Sequence, residues 1–389
     1  MTPPHVCFVG LLNLPVLAPE YADRPAGGAE LQQVLLAKTL ARRGWPVSMV
    51  VLDWGQPDGA TWHGVRTIKT YRPQEGLPGL RFLYPRWTKL LRALRRADAD
   101  IYYASCAGGH LAQLVLFAQP RRRKVVFRVA SNSDCDPREL LVRHRRDRLL
   151  YRYGLARADL VLAQTAQQQD ALWRNYRRSS RLAPSLIEPP ERCRALPERD
   201  IDVLWVGHIR SFKRPQLLLE AARRLPRIRF HMVGGRMPGS EELFDSLRLQ
   251  ALGLANMTFH GAVPYRQTRA LYERARLFIS TSAIEGFPNT YLQSWSHGTP
   301  VLAFLDPDRL IERFRIGRVV RTVEEMCAAI AALSHDPAQW ALASARAREY
   351  MQRHCDERYM LSPYIAALTG LREAGTGGPQ ASEAPVARG

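Results

Sequence analysis

Short apolar runs alternate along the chain with longer stretches in which apolar residues recur every three or four positions. This alternation predicts a succession of βαβ units. Residues 5–10, HVCFVG, read as a short buried strand. A loop through Gly27-Gly28 follows, then a helix over AELQQVLLAKTLARRG, with Leu31, Val34 and Leu35 on one face and Gly44 as its stop. Val47–Leu52, Ile101–Ala104, Val125–Val129 and Leu160–Ala163 are further strand-length apolar runs. Residues 184–197, PSLIEPPERCRALP, hold four prolines and few core formers, and read as an interdomain linker. The alternation then restarts, with strands at Val203–Val206, Arg229–Val233, Met257–Phe259, Leu277–Ser280 and Val301–Phe304, the last closing the series. Helices are expected from Pro215 to Arg224, near 241–251 and 266–275, from Asn289, and at about 323–333, 337–353 and 357–372.

The pattern therefore predicts an α/β protein with two open, mostly parallel sheets, each covered by helices on both faces. The expected division is a first domain over 1–185, a linker over 186–200, a second domain over 201–355, a C-terminal helix over 356–373 and a flexible low-complexity tail over 374–389. In such sheets ligands bind beyond the carboxyl ends of the strands, which places the expected site in a cleft between the two domains.

Composition narrows the classes. An apolar content of 46% and a charged content of 24% over 389 residues exclude wholesale disorder, collagen and a polytopic membrane protein. The net charge of +20 points to anionic partners. It sits mostly in the first half: residues 1–200 hold 32 basic and 18 acidic side chains, a net of +14, against 24 and 18, a net of +6, in the remainder. Lysine is rare, and Lys213 is the sole one after residue 200. The six cysteines show no CxxC spacing, which argues against a zinc ribbon or thioredoxin motif and for a reducing, cytoplasmic setting. The N-terminal apolar stretch lacks a basic leader region and is broken by Pro15 and Pro19, so it reads as strand and loop rather than signal peptide.

Three strand–loop–helix junctions carry the candidate chemistry. In VGHIRSFKRP (206–215), Arg210 and Lys213 lie three apart on a loop that opens a helix, a ready anion site. In SAIEGFPNTYLQ (282–293), Gly286 allows close backbone approach, the amides around Asn289 and Thr290 belong to a helix start, and Glu285 offers a carboxylate to hydroxyls. In PAGGAE (25–30), Gly27 and Gly28 permit close contact by a ligand, although a tight turn alone explains them equally well. Paired surface cations and an ordinary capped helix start remain the plain alternatives for the first two.

Taken together, GGAE at 27–30, VGHIRSFKRP at 206–215, FHGAVP at 259–264 and EGFPNTYLQSWSHGTPV at 285–301 resemble a GT-B fold glycosyltransferase of family 4, the retaining, nucleotide-sugar-dependent group. The resemblance spans roughly residues 5–370. It implies two Rossmann-like domains facing across a cleft, with the C-terminal helix returning toward the first. It also implies that Arg210 and Lys213 neutralise the donor diphosphate, and that Glu285 contacts the transferred sugar. Gly286, Phe287, Pro288, Asn289 and Thr290 would hold sugar and phosphate. Gly261 and Val263 would flank the nucleobase, Gly207 and Gly235 would line the donor, and Gly27 and Gly28 would face the diphosphate or acceptor.

Two departures stand out. The family's second glutamate, which binds the ribose diol, is Gln293 here. The histidine that many members carry after a first-domain strand is absent from VVFRVASNSD (125–134), where Ser131, Asn132 or Asp134 are the candidate replacements. His110 follows a different strand. No resident cofactor is implied, since the nucleotide sugar is a substrate. Four scattered Asp-x-Asp pairs, at 98/100, 134/136, 200/202 and 306/308, read as chance, so no obligatory divalent ion is expected.

The stretch Arg81-Phe82-Leu83-Tyr84-Pro85-Arg86-Trp87 and the residues after it, through Arg96, mix aromatics, leucines and cations. Arg121–Lys124 and Arg143–Arg148 add charge. Such a face suits an anionic membrane surface with a sugar or lipid-linked acceptor, and a solvated arginine-rich face explains the charge equally well. Three alternatives stay open at this stage. They are a related sugar phosphorylase or nucleotide-sugar epimerase, a basic nucleic-acid-binding protein lacking any recognised motif, and a catalytically inert scaffold.

Overall fold

The computed structural model describes residues 2–24, 26–77, 82–190 and 192–373; the expected tail, Pro25 and Arg81 lie outside them. Among the described residues the chain forms two compact units. The first runs to Leu186 and is rejoined from Glu357 onward, and the second is Ile187–Asp356.

The first unit is built on eight strands. They are β1 (Val6–Val9), β2 (Val47–Val51), β3 (Thr61–Trp62), β4 (Val65–Lys69), β5 (Ile101–Ser105), β6 (Lys124–Arg128), β7 (Leu160–Ala163) and β8 (Arg181–Leu182). Their order is β3-β4-β2-β1-β5-β6-β7-β8. All neighbours are parallel except the antiparallel pair β3–β4. The central strands are buried along their whole length, which is why they read as unbroken apolar runs. Helices Thr88–Ala97, His110–Ala118, Arg145–Arg157 and Ala166–Tyr176 contribute Leu90, Leu111, Tyr151 and Leu172 to one core with Cys7, Val125 and Phe127 of the sheet. The C-terminal helix Glu357–Glu373 buries Met360, Leu361, Tyr364 and Leu368, and the Tyr364 hydroxyl donates to the Pro184 carbonyl at 2.8 Å.

The second unit holds β9 (Ile201–Val206), β10 (Phe230–Val233), β11 (Met257–Gly261), β12 (Ala275–Ser280), β13 (Val301–Ala303) and β14 (Gly317–Val319). These form a wholly parallel sheet ordered β11-β10-β9-β12-β13-β14. Val203 and Trp205 feed one core cluster and Leu204 another, so the sheet is packed on both faces.

Two expectations need correction. The strand series does not close at Val301–Phe304, because β14 adds an edge. Gly317 comes so near β13 that a Cβ there would lie 1.9 Å from the Val301 carbonyl oxygen, and only glycine fits. The stretch expected to be a linker is also built into the second unit. Arg199, 1% exposed, donates to the carbonyls of Arg194, Ala275 and His297 and to Thr299 Oγ1. Arg194 pairs with Glu273 at 2.9 Å.

Candidate active site

Strand order in the second sheet reverses beside β9: β10 and β11 extend one side, and β12 begins the other. Where order reverses, the loops leaving two adjacent strands diverge and leave room beyond the strand ends. Here those loops are 207–213 after β9 and 281–288 after β12. They are stitched together. Ala283 N–H donates to the Phe212 carbonyl at 2.8 Å, and Arg214 Nε donates to the Thr281 carbonyl at 2.7 Å. Thr281 Oγ1 donates to the Lys213 carbonyl at 2.6 Å while accepting from the buried Trp205 indole at 3.0 Å.

This stitching brings Lys213 and Glu285, 72 positions apart, into an ion pair between Lys213 Nζ and Glu285 Oε1. The same carboxylate oxygen accepts from Ser282 Oγ at 2.8 Å. The two side chains keep 21% and 16% of their exposure, so solvent and ligands reach them. Arg210 lies at the start of the short 3-10 turn Ser211–Lys213. Among the described residues its guanidinium makes no hydrogen bond or ion pair.

The remaining second-unit candidates line the same strand edge. Gly207 and Gly234 follow β9 and β10 in close approach, since a Cβ on Gly234 would lie 2.5 Å from the Gly207 carbonyl oxygen. Gly235 abuts Ala262, and Gly261 turns the chain out of β11. Val263 and Phe287 pack with Val206 against the cluster containing Tyr291. Gly286 and Pro288 are buried. Asn289 and Thr290 open helix Asn289–Ser296, where Pro288 supplies no side-chain cap. Gln293 is buried and hydrogen-bonded to Tyr265, whose hydroxyl burial pushes up to about 12.

In the first unit the reversal lies between β1 and β5. Gly27 N–H donates to the Glu30 carboxylate at 3.0 Å, so this glutamate caps helix Gly28–Arg42, and burial raises its pKa. Gly28 opens that helix. Asn13, fully buried after β1, has neither amide atom bonded among the described residues. His110 opens its helix after β5, with its ring bonded to the Ser105 backbone and its pKa lowered by burial. Asp134 accepts from the Ala130 and Ser131 amides at 2.8 and 3.2 Å, and burial pushes its pKa up to about 6. Ser131 caps the same turn, and Asn132 Oδ1 accepts from Gln168 Nε2 at 3.1 Å. A polar pocket of about 240 Å³ adjoins Asn132, walled by Asp136, Glu139, Gln168, Arg174 and Asn175.

The Asp-x-Asp pairs have ordinary partners. Asp98 and Asp100 meet Arg123, and Asp200 meets Arg274. Asp202 meets Arg229 and Arg276, while Asp306 accepts from the Ile311 and Glu312 amides. Sequence reasoning missed Thr281, Ser282, Tyr265 and Asn13. The first two stand in the same loop as Glu285, and their hydroxyls were the available signal.

Comparisons with known proteins bear on each unit. Residues 26–189 match the model described as Glycosyltransferase Family 4, and residues 200–336 match that described as Glycosyl transferases group 1. A D-inositol 3-phosphate glycosyltransferase of Mycobacteroides abscessus is 34% identical over 106 residues, a match spanning 26% of this chain and 24% of that enzyme. Among solved structures, sucrose-phosphate synthase from Thermosynechococcus elongatus is similar with a TM-score of 0.73 at 19% identity, over 95% of this chain and 98% of that one. HepE of Anabaena, solved with UDP and glucose, has a TM-score of 0.70 at 16% identity, over 95% and 100%. The chain therefore has the two-domain GT-B fold, and each unit matches a glycosyltransferase model, Family 4 in the first and group 1 in the second.

Proposed function

We propose that the protein moves a sugar from a nucleoside-diphosphate sugar to an acceptor hydroxyl, with retention of anomeric configuration and no obligatory divalent ion, as a cytoplasmic enzyme of cell-envelope polysaccharide or glycolipid synthesis. The observation that carries the reading is the Lys213–Glu285 pair at the strand-order reversal of the second sheet, on loops that also carry Arg210. In the transfer, the acceptor oxygen bonds to the anomeric carbon as the carbon–phosphate oxygen bond breaks, and the acceptor proton leaves with the diphosphate or a nearby base. Negative charge grows on the departing diphosphate. Arg210, with no protein partner among the described residues, and Lys213 meet that charge. Fixed cations at such a position need no reorganisation during the reaction. Glu285 accepts hydrogen bonds from the sugar hydroxyls, and the helix start at Asn289 and Thr290 adds oriented amides.

Gln293 takes the ribose position with Tyr265 behind it. In the first unit, Asp134, with its raised pKa, and His110 stand at the acceptor side with Ser131 and Asn132. The glycosyltransferase descriptions matched by both units do not favour a phosphorylase, an epimerase or a nucleic-acid-binding protein. That HepE was solved with UDP and glucose supports a nucleoside-diphosphate donor.

Thermal unfolding with UDP, GDP, ADP and their sugars tests the reading. A ligand at about a hundred times its Kd stabilises by ~2.7 kcal/mol, so the true donor nucleotide raises Tm by several degrees. The same donor is then expected to release or transfer its sugar, and proton NMR of the product reads the anomeric configuration. No shift with any nucleotide and no turnover of any donor sinks the proposal. Loss of transfer on chelation, restored by manganese, sinks its metal-independent part.

A further inference from the structure

We infer that an exposed apolar and cationic lip on the first unit seats the protein on the headgroups of an anionic phospholipid bilayer, and so presents a lipid-borne acceptor to the loops after β5 and β6. The acceptor's role rests on the glycosyl-transfer reading, whereas the lip's contact with the bilayer does not.

The lip forms where two helices of one layer begin. Residues 82–87 lead into helix Thr88–Ala97, and residues 140–144 lead into helix Arg145–Arg157. The Arg146 guanidinium lies 3.5 Å from the Phe82 ring centroid. Arg148 donates to the carbonyls of Val142 and Leu140 at 2.7 and 3.2 Å. The Arg148 bonds hold residues 140–142 against their own helix, and the Arg146–Phe82 contact brings the two approaches side by side. Around this point Leu83, Tyr84, Leu141 and Leu149 are 62%, 65%, 56% and 65% exposed. Single exposed leucines need no explanation, but four large apolar side chains on two adjoining segments do.

Arg143 and Arg145 stand among them, exposed and without a side-chain hydrogen bond or ion pair among the described residues. Arg145 and Arg146 open a helix, where the dipole disfavours cations, and an external anion offsets that cost. The lip adjoins the acceptor-side loop, since a Cβ on Gly109 would lie 3.1 Å from Asp147 Oδ1.

In the other basic stretches several of the cations are instead paired within the protein. Arg121–Lys124 lies at the amino end of β6, away from the loops. Arg123 is paired with Asp98 and Asp100, Lys124 with Asp159, and Arg121 covers the Phe117 ring. On helix Thr88–Ala97, Lys89 is paired with Glu75 and Arg96 with Asp58. Arginines flanked by exposed leucines suit a bilayer, where phosphates meet the cations and the apolar side chains enter below the headgroups. A nucleic-acid backbone offers the phosphates but no place for the leucines.

Sedimentation with vesicles tests the inference. The protein is expected to bind vesicles containing phosphatidylglycerol and not pure phosphatidylcholine. Arg143→Glu with Arg145→Glu is expected to weaken binding by about 30-fold or more. Leu83→Ser with Leu149→Ser is expected to weaken it by about tenfold. The same charge change at the far edge, Arg121→Glu with Arg122→Glu, is expected to alter it by less than about threefold. If charge reversal unfolds the unit, Arg143→Gln with Arg145→Gln carries the test, with a loss of about tenfold expected.

Absence of wild-type binding to the anionic vesicles overturns the lip, as does an equal loss in the far-edge control. An intact response in the leucine variant, with duplex DNA binding lost in the arginine variant, also overturns it and marks a polyanion surface instead. Vesicle binding through the lip by a protein whose Tm no nucleotide moves leaves the lip standing and sinks the transfer reading. The reverse result sinks the lip alone.

Discussion

Among single side chains, Arg210 and Lys213 carry the same charge in different company. Lys213 already has a carboxylate partner, and Arg210 has none among the described residues. Removing each therefore has a different signature. Arg210→Ala is expected to lower kcat/KM by ~10²–10³-fold while leaving Tm unchanged, because no protein bond is lost. Lys213→Ala is expected to bring a similar loss of activity and also to leave Glu285 without its cation, so its Tm falls. A Tm drop in Arg210→Ala equal to that in Lys213→Ala counts against this account. Arg210→Lys is not conservative here, because a point charge cannot reproduce the planar fork that grips phosphate.

Secondary-structure elements show what was readable beforehand. The buried parallel strands were legible because burial on both faces demands continuous apolar runs. β3, β4, β8 and β14 were not. β4 alternates buried with exposed residues such as Arg66, β3 and β8 have two residues each, and β14 depends on the missing side chain of Gly317. Reading 186–200 as a linker hid Arg199, whose role needs the fold to supply its acceptors. Arg199→Met is expected to cost on the order of 3–5 kcal/mol, since it leaves several buried carbonyls unpaired. A urea midpoint unchanged from wild type would show that the stretch is a linker after all. The loop positions of Arg210, Lys213 and Glu285 were legible because each follows a recognisable strand. The carboxylate–ammonium contact was not, and neither was the neutralisation of Arg123 and Lys124, because charge is visible in a sequence and pairing is not.

For the molecule as a whole, buried histidines set the response to acid. Burial lowers His297 to about 4, and burial with the neighbouring His260 lowers His231 to about 4. Between the ordinary value of about 6.5 and 4, the unfolded chain takes up protons that the folded chain excludes, so stability falls as pH drops through this window. For His297, which is 5% exposed, the loss is about 3 kcal/mol at most. Asp134 acts with the opposite sign: its folded pKa of about 6 favours the fold in acid, and that contribution fades as pH rises through 6. Both histidines belong to the second unit; in the first unit burial lowers His5 and His110 in the same direction, but Asp134 opposes them. Hydrogen exchange at pH 4.5 is expected to show the second unit opening first, and His297→Gln is expected to reduce the effect. Earlier opening of the first unit would contradict this.

The return of residues 357–373 to the first unit makes that unit discontinuous along the gene. A fragment ending at Leu186 carries every strand of the eight-membered sheet, yet it lacks the surface that Met360, Leu361, Tyr364 and Leu368 cover, and the Pro184 carbonyl loses its phenolic donor. Ribosomal synthesis meets the same condition: the amino-terminal half stays unfinished until residues 357–373 have left the ribosome.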